Sequence, residues 1–116
     1  MTVKRIVADI HVEDTVLANK FYGEILGLEV LMDLGWIVTY GLAKKMSVQI
    51  SFATQGGSDT PVPDISIEVD DLDKILRKMI QSDFRIEYGP INEPWGVRRF
   101  FVRDPFGKLV NILSHN

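Results

Sequence analysis

Residues 3–12 alternate between two faces. Ile6, Ala8, Ile10 and Val12 share one, and Val7, Asp9 and His11 share the other, which is the period of a half-buried strand. The period then lengthens. Asp14 and Thr15 offer an N-cap. Leu17, Phe21 and Ile25, with Val16, Tyr22 and Leu26, fall at helical spacing, and Gly27 stands where a left-handed C-cap belongs. Short strands are predicted at 28–33, 36–41 and 47–53. QGGSDTPVP at 55–63 loses all periodicity and reads as an exposed connector. Beyond it the order returns. Ile65, Ile67 and Val69 alternate with Asp64, Ser66 and Glu68. Asp70-Asp71 then open a helix with Leu72, Ile75, Leu76, Met79 and Ile80 on its apolar stripe. Strands are predicted at 84–89, 97–103 and 108–114, the last two joined by the turn DPFG at 104–107. Phe100 and Val102 share a core face, and Arg99, Phe101 and Arg103 the other.

Each half therefore reads strand, helix, three strands. IHVED at 10–14 aligns with IEVDD at 67–71, GLEV at 27–30 with DFRI at 83–86, and SVQI at 47–50 with LVNI at 109–112. Identity between the halves is low, so the repeat rests on element order and hydrophobic phase. The expected organisation is one domain over 1–116, with module 1 at about 1–54, the connector at 55–63 and module 2 at about 64–116. Two such modules can each curl a sheet around one shared concave space.

Composition narrows the classes. The 116 residues are 46% apolar and 25% charged, which fits one soluble globular domain with a real core. There is no Cys, so a disulfide scaffold, a thiolate nucleophile and a Cys-ligated zinc site are excluded. A net charge of −3 gives no basic footprint for nucleic acid. No apolar run reaches the roughly 18 residues a membrane span needs, and no signal peptide is read at the start. A reducing, cytoplasmic setting is the expectation. No GxGxxG, P-loop or GxSxG motif is present.

VEDTVLANKFYGEILGLEV at 12–30, DISIEVDDLDKIL at 64–76 and EPWGVRRFFVRDPFGKLVNIL at 93–113 carry a resemblance over nearly the whole chain. They resemble the vicinal-oxygen-chelate superfamily, which holds glyoxalase I, extradiol dioxygenases, and fosfomycin and bleomycin resistance proteins. The Pro-Trp-Gly, Arg-Arg-Phe and Asp-Pro-x-Gly elements look most like bleomycin-resistance-type members. The resemblance implies an α+β fold of two βαβββ modules forming a cupped, barrel-like mixed sheet, and a homodimer.

It also implies where a metal would sit. Metal-using members draw His and Glu ligands from equivalent strand positions of both modules. Those positions fall here at Val7, its repeat partner Asp64, Gln49 and its repeat partner Asn111. Val7 has no donor, two amides are poor ligands for Zn, Ni or Fe(II), and only Asp64 carries charge. The expectation is therefore no metal cofactor. A displaced site built on His11 and Glu68, with Asp9, is the weaker alternative.

The expected function is a metal-independent protein that binds an aromatic or cationic small molecule in the cup between the modules. The residues proposed for that ligand are Asp9, His11, Trp36, Tyr40, Gln49, Asp64, Glu68, Trp95, Arg99 and Asn111. Asp64 is placed deepest in the cup. Asp9, Asp64 and Glu68 need partners if buried, and Arg98, Arg99 and Arg103 are available. Trp36 and Trp95 serve either as packing or as a stacking wall. His11 reads as a rim residue or a general base, and His115 as a frayed terminus. The alternative is a lyase, isomerase or dioxygenase of the same fold, with a displaced metal or with none. A third reading is an interaction module acting through its surface.

Overall fold

The computed structural model describes residues 2–43 and 45–116, and the side chains of all of these except residues 21 and 45–48. The side chain of Phe21, expected on the first helical stripe, lies outside that set. The chain forms two compact units. The first is Val7–Val62; the second is Pro63–Asn116 and takes in the opening residues of β1 (Val3–His11) up to Ile6.

In the first unit β1 is followed by a single 3-10 turn, Thr15–Leu17, and a wider π-type helical segment, Asn19–Ile25. Then come β2 (Glu29–Asp33), β3 (Ile37–Leu42) and β4 (Lys45–Ala53), in spatial order β2-β3-β4-β1. β1 runs parallel to β4, and the other pairs are antiparallel. The second unit repeats this with β5 (Ile65–Val69), α1 (Leu72–Gln81), β6 (Ile86–Asn92), β7 (Val97–Arg103) and β8 (Leu109–His115). Its order is β6-β7-β8-β5, again with the first strand parallel to the last. Two βαβββ modules in an α+β fold are thus present. The parallel pair requires a long crossover, which the helical segment and the two strands after it supply in each module.

The second module's core follows its pattern. Val69, Phe100, Val102, Val110 and Ile112 meet Leu72, Ile75, Leu76 and Met79 of α1. Asp71 caps α1, its carboxylate accepting from the Lys74 amide at 3.1 Å. Ile80, expected on the stripe, is exposed.

The first module departs from its pattern. Val38, Tyr40 and Phe52 form its core with Val12, Ala18, Tyr22, Leu28 and Ile50. Asp14 does cap the helical entry, accepting from the Val16 amide at 3.0 Å. Val16, Leu17, Ile25 and Leu26, however, are exposed. The stripe assumed 3.6 residues per turn. A tight 3-10 turn followed by a wide segment, where the Leu28 amide reaches back to the Tyr22 carbonyl, rotates that stripe off the core. On β1 the buried residue is Val7, while Ile6 and Ile10 face outward.

The segment 55–63 is also not the exposed connector expected. Gly56, Gly57, Thr60 and Pro63 are buried. The Thr60 carbonyl accepts from the Gly56 amide at 2.7 Å, and the Gly57 carbonyl accepts from both the Thr60 amide and hydroxyl. Backbone polar groups satisfied locally can be buried without penalty.

Candidate functional site

In the second unit Ile65, Ile67, Phe100, Val102, Val110 and Ile112 point to α1. Strand alternation sends Ser66 and Glu68 of β5, Asn111 and Leu113 of β8, and Arg99 and Phe101 of β7 to the opposite face. Ser66 stands opposite Asn111, and Asn111 opposite Phe101. This face gathers the unit's candidate chemistry into three groups.

At one end, the buried Glu68 accepts from Arg5 Nε at 2.6 Å through Oε1 and meets His115 Nδ1 at 2.8 Å through Oε2. Burial alone would raise this carboxyl, but the His115 hydrogen bond and the Arg5 charge outweigh it and hold it below the usual range. His115 is therefore no frayed end. It closes β8 opposite Val97, and its ring is half exposed.

In the middle, Asn111 is 7% exposed. Its amide donates to Ser66 Oγ at 3.1 Å. Among the described residues, its carbonyl oxygen Oδ1 is the buried side-chain polar atom without a hydrogen-bond partner. Such an orphan acceptor costs about 1–3 kcal/mol, so it is a place where a donor would be welcome.

At the other end, Arg99 is 3% exposed and donates to Glu93 Oε2 from Nε at 2.7 Å. Tyr88 donates to the same oxygen at 3.1 Å. The guanidinium lies 5.3, 5.0 and 4.8 Å from the ring centres of Tyr88, Trp95 and Phe101. The aromatic cage that a cationic guest would want is thus occupied by the protein's own cation.

The other expected residues are dispersed. Asp64 is exposed rather than deep. It sits before β5 and binds the backbone of Leu109 twice, donating from its amide at 2.8 Å and accepting through Oδ2 at 2.9 Å. In the first unit, Asp9 is half-buried opposite Ser51, His11 is exposed at the end of β1, and Gln49 is half-buried opposite Gly41. Trp36 is half-buried just before β3. Tyr40 goes to the core, with ring centres 6.4 Å from Tyr22 and 6.2 Å from Phe52. Burial pushes its phenol up, with Asp33 adding to the effect.

The arginines offered as partners do pair, but with other carboxylates: Arg98 with Asp73, Arg99 with Glu93 and Arg103 with Glu87. Arg5, Ser66, Tyr88, Glu93 and His115 were not anticipated as site residues. The signal for Glu93 was EPWG lying six residues before Arg99.

The donors do not fit a tightly held divalent metal. Of the four positions carried over from metal-using proteins, Val7 has no donor, Gln49 and Asn111 are amides, and the Asp64 carboxylate already serves Leu109. Both oxygens of Glu68 are engaged. Among the described residues no group of three or more His, Asp or Glu side chains is arranged to hold a metal.

The glyoxalase-like domain family matches residues 6–115. The chain belongs to that family. The fold agrees with solved structures of the glyoxalase/bleomycin resistance/dioxygenase superfamily. A member from Vibrio splendidus superposes with a TM-score of 0.66 at 17% identity, covering 97% of this chain and 99% of that one. A structure described as NAD-dependent benzaldehyde dehydrogenase from Legionella pneumophila gives 0.73 at 15% identity, covering 96% and 99%. Methylmalonyl-CoA epimerase from Mycobacterium tuberculosis gives 0.67 at 14%, covering 98% and 87%. At these identities the likeness is one of fold. No curated protein matches the sequence. Among the described residues no helix is long and apolar enough to cross a membrane.

Proposed function

We propose that this glyoxalase-like chain binds a small organic molecule, aromatic or cationic, without using a metal, and that the second module's face turned away from α1 contributes its central contacts. The observation that carries this reading is the orphan Asn111 Oδ1, buried at one of the strand positions where the family resemblance would put a metal ligand. A neutral amide acceptor suits an N–H or O–H donor rather than a cation of high charge density. Phe101, the cross-strand partner of Asn111, is a buried apolar neighbour on the same face. The charges flanking it are already neutralised, Glu68 by Arg5 and Arg99 by Glu93, so the guest has no strong local charge to satisfy.

The test is a thermal-shift screen of amines, aryl amides and phenols on protein purified without chelator, with elemental analysis of the same sample. A guest should raise the melting temperature of the parent and not of Asn111→Leu. Stoichiometric Zn, Ni, Mn or Fe, or an undiminished shift in Asn111→Leu, would overturn the reading.

One observation favours an enzyme of the same fold. Glu68 fixes Nδ1 of a half-exposed imidazole, the arrangement that orients a general base. Turnover of any guest found above, lost in His115→Gln while binding persists, would establish that role.

A further inference from the structure

The two modules share one pattern, so their positions can be matched strand by strand. Tyr40 pairs with Ile50 in the first as Val102 pairs with Val110 in the second, and Ile10 pairs with Phe52 as Ile67 pairs with Ile112. The Leu28 amide closes its helical segment on the Tyr22 carbonyl, as the Phe84 amide closes α1 on the Met79 carbonyl. Tyr22, Tyr40 and Phe52 thus correspond to Met79, Val102 and Ile112. In the first module the three rings pack on one another. The Tyr22 centre lies 4.8 Å from Phe52 and 6.4 Å from Tyr40, and Tyr40 lies 6.2 Å from Phe52. In the second module none of the three positions is aromatic.

Met79, Val102 and Ile112 all line a cavity of about 320 Å³ between α1 and the sheet, with Phe84 and Val110. Phe84, where the first module has Leu28, returns one ring to the wall. Phe100, where the first has Val38, is buried in the same core but is not part of that wall. Close-packed interiors leave few voids larger than a water molecule, so a space of this size calls for an occupant. A dry apolar cavity of about 150 Å³ holds benzene, and small-molecule sites begin at about 300 Å³, so a substituted ring has room here. The charged residues at its edge are Arg103 and Asp104. Arg103 is bound to Glu87 at 2.7 Å and to the Gly107 carbonyl at 3.0 Å. Asp104 Oδ1 accepts from the Phe106 and Lys108 amides at 2.8 and 2.9 Å. An ionic guest would leave water without a counter-charge, whereas an uncharged one loses nothing.

We propose that this cavity binds a single uncharged aromatic ring, bare or carrying short alkyl groups, which takes the place that aromatic side chains fill in the first module. The site is separate from the one on the face turned away from α1. Val110 and Ile112 pack toward α1, and Asn111 between them turns to the opposite face of β8. Ring burial and contact with the Met79 thioether and the Phe84 ring hold the guest, with no hydrogen bond required.

Calorimetric titration of the full chain with toluene tests this, because toluene has no N–H or O–H to offer Asn111. The parent should bind one equivalent. Benzoate, the same ring with a charge, should bind at least tenfold more weakly. Val102→Phe puts a ring at the position matching Tyr40 and should weaken toluene binding at least tenfold. Met79→Phe, at a half-buried position, should do the same with unchanged circular dichroism, and it decides the matter should Val102→Phe fold poorly. Asn111→Leu should leave toluene binding as it is in the parent. A parent that does not bind toluene, benzoate that binds as tightly, or an affinity undiminished in Met79→Phe overturns the proposal. So does loss of toluene binding in Asn111→Leu, which would assign the ring to the opposite face.

Discussion

Arg99 is 3% exposed and always charged, so its stability rests on Glu93 and on the three rings around it. Removing one member of such a pair strands the other charge. Arg99→Met alone should therefore cost about 3–5 kcal/mol in urea unfolding, whereas Arg99→Met with Glu93→Leu should recover most of it. A double variant as unstable as the single one would mean that the rings, and not the ion pair, dominate. Glu68 adds a pH dependence with a definite sign. Its carboxyl is held below the usual range when folded, so the unfolded chain binds its proton more readily. The stabilisation is complete above the ordinary Glu value of about 4.3 and is lost as pH falls through the folded value. The stability gap between the parent and Glu68→Gln should thus be largest near neutrality and shrink in acid. A gap that widens in acid would contradict the assignment.

At the scale of elements, Asp71→Ala removes the cap of α1 and should cost about 1 kcal/mol. Gly89 in β6 is more demanding. It adopts φ +79°, and a Cβ there would lie 2.5 Å from the Arg99 carbonyl oxygen and 3.2 Å from Phe100 Cα. Gly89→Ala should exceed the capping loss and disturb the Arg99 cage, visible as a changed Trp95 emission. The same elements explain what could be read beforehand. In the second module a regular helix and clean alternation make period and burial coincide, so Leu72, Ile75, Phe100 and Val102 were legible. In the first, the expected stripe required an α-helical turn that the 3-10 and π-type geometry does not keep, so Leu17 and Ile25 were misplaced. Pairings were harder still. Glu68 meets Arg5 across 63 positions and His115 across 47, and nothing local in sequence chooses those partners over Arg98 or Arg103. Asn111 was legible as a candidate through the family pattern, but its unpaired oxygen emerges only with the packed strand.

At the scale of the whole chain, β1 matters most, because its opening residues belong to one compact unit and its remainder to the other. Each unit is near 60 residues, a size at which the buried fraction of surface leaves stability marginal. The second unit holds β5 to β8 complete and the first holds Ala8–His11 of β1 paired with β4, so the single strand β1 runs unbroken from one unit into the other. Loss of one unit should then remove part of the other, and unfolding should be all-or-none. The two tryptophans make this measurable, since Trp36 lies in the first unit and Trp95 in the second. Trp95→Phe leaves a reporter for the first, and Trp36→Phe for the second. In urea the fluorescence transition of each variant should coincide with its own loss of far-ultraviolet circular dichroism, with one slope for both probes. If the Trp36 signal melted well before the dichroism while the Trp95 signal followed it, the modules would be independent folding units. β1 would then be a linker between them rather than a shared strand.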